Sequence, residues 1–303
     1  MSRGFPILQE GSSSIMFAAA SLVITSETMK SAYLTQYLDL EPTQVHEKGT
    51  RMSKRNPKSQ LYLKMIWSLQ SDLPQDRPLS DHIFMLLSEI ESRASRLTSL
   101  TETCDLFFFC SLSHDNDQES SRLDHLLWQR LARLPAPVVL DLYPPTIDDE
   151  EAVYVGTSQK WTTAFFEARS ETTGSGEFAS MRGPDPAEVR VRAEAVGPEG
   201  SAAKAESTTT AWRFDSGLAT SALLEDHVAA LLDKVEEHAD TLSILTPSRE
   251  SYLILSFASD NGQGGGWFSH ELVERIAHAS IDMLIYLVPP FLDNKDPATE
   301  AME

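Results

Sequence analysis

Trp67-Ser-Leu-Gln-Ser71, followed by Asp81-His82, Asp115-Asn116 and Pro144-Pro145, returns further along the chain as Trp212-Arg-Phe-Asp-Ser216, Asp226-His227, Asp260-Asn261 and Pro289-Pro290. The offset is 145 residues at each position, so no insertion breaks the register from tryptophan to diproline. A chain of 303 residues then divides into two units of ordinary domain size, about 150 residues each. This internal duplication decides the architecture.

Around the tryptophan, Trp67, Leu69 and Ser71 alternate with Ser68 and Gln70, and Trp212, Phe214 and Ser216 alternate with Arg213 and Asp215. Period-two alternation is a strand with one core face and one wet face. Next, Ile83, Leu86, Leu87, Ile90, Ala94, Leu97 and Leu100 step by three and four, as do Val228, Leu231, Leu232, Val235, Ala239, Leu242 and Leu245. That stripe predicts a long amphipathic helix covering the sheet in each half. Upstream the offset becomes 144: Phe17 pairs with Trp161, Ser26-Glu27-Thr28 with Ser170-Glu171-Thr172, and Glu41-Pro42 with Asp185-Pro186. The apolar runs from Ile15 and from Trp161 are expected to be first strands. Ser26 is expected to cap a helix running to Leu38, whose second copy is broken by Gly174, Gly176, Gly183 and Pro184. Strands at 105–113 and 251–259, Asp-Asn turns, helices near 121–133 and 268–278 and closing strands complete each copy.

The predicted order per copy is β-α-β-β-α-β followed by α-β. The class is α+β, and the first six elements have the order of a ferredoxin-like unit with an antiparallel sheet and helices on one face. The expected organisation is a lead at 1–14, a first repeat at 15–145, an acidic linker at 146–151, a second repeat at 152–292 and a tail at 293–303. The two repeats are expected to form an intramolecular pseudo-dimer in a monomeric chain.

The first copy combines the Trp-x-x-x-Ser strand, the Asp-His helix start, Leu40, Pro42 and Thr43 with the Lys48-Gly49 turn, and a closing Asp141-x-Tyr143. With these residues it resembles the bacterial domain-of-unknown-function family 4279. The second copy lacks the Lys-Gly turn and has Tyr286 and Val288 in place of Asp141 and Tyr143. The resemblance implies no assigned chemistry, so no catalytic residue is carried across.

Three constellations stand out. Ser71 with His82, and Ser216 with His227, flank the same strand-to-helix loop, and Asp115 or Asp260 would complete a hydrolase-type Ser-His-Asp set. No Gly-x-Ser-x-Gly elbow surrounds either serine. The plainer expectation is that Asp81 favours the helix dipole while the histidine bonds loop backbone. Asn261-Gly-Gln-Gly-Gly-Gly266 has the glycine content of a phosphate loop, but Trp267 stands where the third fingerprint glycine belongs, and a flexible turn is expected. Lys48, Arg51, Lys54, Arg55 and Lys58 lie in a stretch without an acid, giving +5 in a chain of net charge -20. The remainder is therefore -25. The counterpart at 192–203 has one arginine and two glutamates, so this asymmetric stretch is the place to look for an acidic protein, a phosphorylated ligand or RNA, if it is more than a solvated charge run.

The dense set His114, Asp115, Asp117, Glu119, Asp124 and His125 lacks an EF-hand frame, so no metal and no cofactor is assigned. Strong negative charge disfavours nucleic acid and anionic membranes and favours a basic protein target, as for an inhibitor or immunity-type protein. Cys104 and Cys110, on one strand roughly 20 Å apart at about 3.3 Å per residue, cannot bridge each other, which fits a reducing cytoplasm. The expected function is binding a protein partner without catalysis; the alternatives are a hydrolase and a binder of small anions at the basic stretch.

Overall fold

The computed structural model describes residues 15–53, 55–114, 120–145, 160–170, 188–194, 207–239 and 251–289. The expected lead, the linker, the tail at 293–303 and the weakened second-copy helix lie outside them, as do Lys54 and Asp115.

The first copy runs β1 (Ile15–Ser26), α1 (Ser31–Leu38), β2 (Gln44–His46), β3 (Met65–Gln70), α2 (Leu79–Ile90), α3 (Ala94–Leu100), β4 (Asp105–His114), β5 (Ser120–Leu123), α4 (His125–Leu131) and β6 (Val138–Tyr143). The second runs β7 (Lys160–Ser170), β8 (Glu188–Glu194), β9 (Ser207–Asp215), α5 (Leu224–Glu237), β10 (Ser251–Ser259), β11 (Gly264–Phe268), α6 (His270–Ala279) and β12 (Asp282–Leu287). The class is mixed α+β.

The alternation around Trp67 is only partly kept in burial: Trp67 and Leu69 are buried and Gln70 is exposed, but Ser68, expected on the wet face, is buried as well, and Ser71 is half-buried. The long stripe, however, is not one helix. A 3-10 turn at Glu91–Arg93 separates α2 from α3, where the Arg93 guanidinium donates to the carbonyls of Leu38, Asp39 and Glu89. Ser26 does not cap α1 either. It ends β1, and its hydroxyl accepts from the amides of Thr28 and Met29 in the turn before the helix.

Two strands were not anticipated. The stretches after the Asp-Asn positions, read as turn and helix start, form β5 and β11, and each joins the sheet of the other copy. One sheet has the order β11-β6-β4-β1-β3-β2 and the other β5-β12-β10-β7-β9-β8. Phe268 pairs with Val138 and Leu123 with Met283, positions related by the same offset of 145. The exchange is therefore reciprocal. Each edge of β6 and β12 that would otherwise present free N–H and C=O groups is closed by a strand from the partner copy.

Nor is either sheet purely antiparallel, because β6 lies parallel to β4 and β12 parallel to β10. A parallel neighbour needs a crossover, and β5 with α4, like β11 with α6, supplies it. One continuous apolar core contains residues of both copies, with Trp67, Trp128, Phe108, Phe166, Phe257 and Phe268 fully buried. Across the copies, Trp128 on α4 stacks on Phe268 of β11 with centroids 6.2 Å apart. No helix among the described residues is long and apolar enough to cross a membrane.

Candidate functional site

At the end of β3 the Ser71 amide bonds to Ala20 O, and one turn into α2 the His82 ring faces back toward it. Ser71 Oγ and His82 Nδ1 are 2.5 Å apart. In the second copy Ser216 Oγ and His227 Nδ1 are 2.6 Å apart. The pairing anticipated from sequence is real and duplicated: each ring meets the serine side chain, and loop carbonyls of Pro74 and Arg77 for His82 and of Ala219 for His227 lie beside it as well.

Both imidazoles are 1% exposed, and Nε2 of each makes no hydrogen bond. Burial lowers the pKa of His82 below its ordinary value, while the nearby carbonyls of Pro74 and Arg77 and the Asp81 carboxylate offset part of this. His227 is lowered for the same first reason, opposed by the Ala219 carbonyl and Asp226. A neutral ring can accept the serine proton, yet a nucleophile also needs a place for the substrate and an acid on the far nitrogen. The clefts described below are lined by neither pair. Asp260 stands half-buried in the turn after β10, and Asp115 lies outside the described residues. In both copies the contact ties a strand end to a helix start.

The glycine-rich segment is not a phosphate loop. Gly264, Gly265 and Gly266 form the body of β11. A Cβ on Gly264 would come 2.1 Å from the Phe257 ring, and one on Gly265 would come 1.8 Å from Leu140 O, with φ at +147°. Gly265 thus allows the strand to approach β6 of the other copy closely, and Gly264 leaves room for the Phe257 ring of its own.

The ligand-rich loop is likewise spoken for where it is described. His114 Nε2 lies 3.1 Å from Ser121 Oγ, and Asp124 caps α4 by accepting from Leu127 N at 2.7 Å. His125 N donates to Asp282 Oδ1 at 2.7 Å, and Arg122 donates to Asp282 Oδ2 through Nε at 3.0 Å and Nη2 at 2.5 Å. Burial alone would raise the Asp282 carboxyl; the bonds from His125 and Arg122 outweigh it and hold the group below its ordinary value. Residues 115–119 lie outside the described structure, and among the described residues no three metal-ligating side chains converge. Sequence reasoning missed Asp282, because its counterpart Pro137 breaks the repeat and its partners come from the other copy.

The described residues of the basic stretch are held by backbone hydrogen bonds. Gly49 N donates to Tyr62 O, Tyr62 N to Thr50 O and Met52 N to Gln60 O, with a bridge between Arg51 and Leu61, so 49–53 and 59–62 form the two arms of a braced hairpin. His46 stacks on Tyr62 at 4.3 Å beneath it. Gly49 sits at φ +82°, the left-handed region that favours glycine. Lys48, Arg51, Arg55 and Lys58 are all exposed, and none pairs with a carboxylate among the described residues. Met52, Leu61 and Leu63 are exposed beside them, Leu63 to 81%. Those apolar neighbours carried no signal in the charge pattern. Cys104 and Cys110 are free thiols, both buried, and burial pushes Cys110 up to about 12.

Two clefts, of about 430 and 380 Å³, meet at Trp267 on β11. A family model described as a domain of unknown function (DUF4279) matches the chain twice, over residues 15–145 and 159–287. No curated protein matches it in sequence.

Proposed function

We propose that this chain, which belongs to the DUF4279 family and carries that domain twice, acts by binding a protein partner and not by turning over a substrate. In this reading each half is a ferredoxin-like unit and the two make an intramolecular pseudo-dimer. The strand order β2-β3-β1-β4, antiparallel at each step, and the reciprocal exchange of β5 and β11 support it.

The observation that carries the functional reading is the braced hairpin at 49–62. None of its described cations pairs with a carboxylate, although Lys48 Nζ donates to Glu27 O and Arg51 Nη1 to Ser59 O, and they are spread along one excursion with Met52, Leu61 and Leu63 exposed among them. Separated charges interleaved with apolar side chains match an extended acidic and apolar surface better than a single small anion, which needs converging donors. None of the described clefts is lined by these cations. A contact loop already held by backbone hydrogen bonds loses little order on docking, which suits an inhibitor or immunity-type role. A cytoplasmic setting agrees with two buried free thiols.

Affinity capture across a salt series, with wild type beside a Lys48→Glu, Arg51→Glu, Arg55→Glu, Lys58→Glu variant, tests this. The expected result is a salt-sensitive protein partner that the variant loses. A partner retained unchanged removes the hairpin from the contact, and no salt-sensitive partner at all removes the binding reading. The Ser-His distances favour hydrolysis as the second reading; covalent labelling of Ser71 or Ser216 by a serine-reactive fluorophosphonate would restore it.

A further inference from the structure

Among the described residues Trp267 is the largest apolar side chain left half exposed, at 50%. It stands on a strand that one copy lends to the other, with the Phe107 ring 6.0 Å away. Trp267 and Glu225 line both clefts, which therefore flank one indole. The first adds Asp141, Lys160 and Gln263, and the second adds Asp226, Glu271 and Arg275. Arg275 is already neutralised by Asp233 at 2.6 Å and Glu236 at 2.9 Å. Glu225 Oε2 lies 3.4 Å from Trp267 N, a weak contact, and among the described residues no cation forms an ion pair with it, the cleft's cation being Lys160 beside the carboxylates of Asp141 and Glu225. An indole beside uncompensated carboxylates attracts a cation both through the ring face and through charge.

The duplication sharpens this. The position matching Trp267 is Arg122, and those matching Glu225 and Glu271 are Ser80 and Leu126. Arg122 turns onto Asp282 and lies 5.9 Å from the Tyr252 ring centroid. The first-copy crossover thus supplies its own arginine against a carboxylate and an aromatic ring. The second-copy crossover presents a ring and carboxylates without that arginine.

We propose that the Trp267 groove is a docking site for a basic protein segment, with an arginine side chain laid on the indole and its guanidinium facing Glu225, Asp226 and Glu271. This surface is distinct from the hairpin and opposite to it in sign.

The test is calorimetric titration of the full chain with a hexa-arginine peptide. Wild type should bind, Trp267→Ala should weaken binding about tenfold, and Trp267→Phe should recover part of the loss. Glu225→Gln with Asp226→Asn should weaken it comparably, whereas Glu237→Gln with Glu274→Gln, which removes the same charge elsewhere, should not. Equal binding by wild type and Trp267→Ala would reduce the interaction to net charge and overturn the proposal, as would absence of binding at low salt. The hairpin charge-reversal variant should bind the peptide no less tightly than wild type, so failure here and failure of the hairpin reading are separable. Circular dichroism of each variant confirms that an altered titration reflects the groove and not unfolding.

Discussion

His82 and His227 are held as neutral rings because water is excluded from them, and that has a consequence for pH. Their ordinary value is 6.5 and burial lowers both in the folded chain. The unfolded chain therefore takes up protons first on acidification. Their stabilisation is whole above 6.5 and is lost as pH falls through the lowered folded values. Urea unfolding at stepped pH should show this slope in wild type and a shallower one in His82→Gln with His227→Gln; equal slopes would refute it. Ser71→Ala leaves Nδ1 of a buried ring unpaired and should cost about 1–2 kcal/mol in the same assay. The Ser-His pairing was legible because both residues sit at the boundaries of one loop, and the repeat preserves that spacing. Their sealing was not, since it depends on what packs over the loop.

The elements divide in the same way. Strand β3 and helix α2 were readable from period and strand β1 from its apolar run, because each buries residues against its own copy. Strands β5 and β11 were not, being short, rich in serine or glycine and stabilised by a sheet built elsewhere. Gly265→Ala should be the sharpest test of that strand: the new Cβ meets Leu140 O at 1.8 Å, so a loss of at least about 2 kcal/mol in thermal or urea unfolding is expected. Gly49→Ala meets nothing within 4 Å and should cost only the left-handed backbone strain, about 1 kcal/mol. Asp282→Asn, which weakens the bonds anchoring β5 and α4, should lower stability by about 2 kcal/mol near neutral pH. Asp282 is held below its ordinary 3.8, so its contribution is present above that value and lost as pH falls through the lowered one. The difference between Asp282→Asn and wild type should therefore close in acid.

At the scale of the molecule, two sheets share one core and exchange strands, so the halves should not separate when the connection between them is cut. A specific protease site placed between residues 151 and 158, once cleaved, should yield two fragments that co-elute under native conditions and part only on denaturation; separate elution would refute the interlock. Duplication, the α+β class and the positions of the amphipathic elements were determined by the sequence alone, because an offset of 145 and periods of two and of three to four are properties of order along the chain. Which sheet receives β5 and β11, and that Trp267 lies open where Arg122 is folded back, were decided only in three dimensions. Edge strands are satisfied by whichever backbone reaches them, and no local pattern records which copy that backbone belongs to.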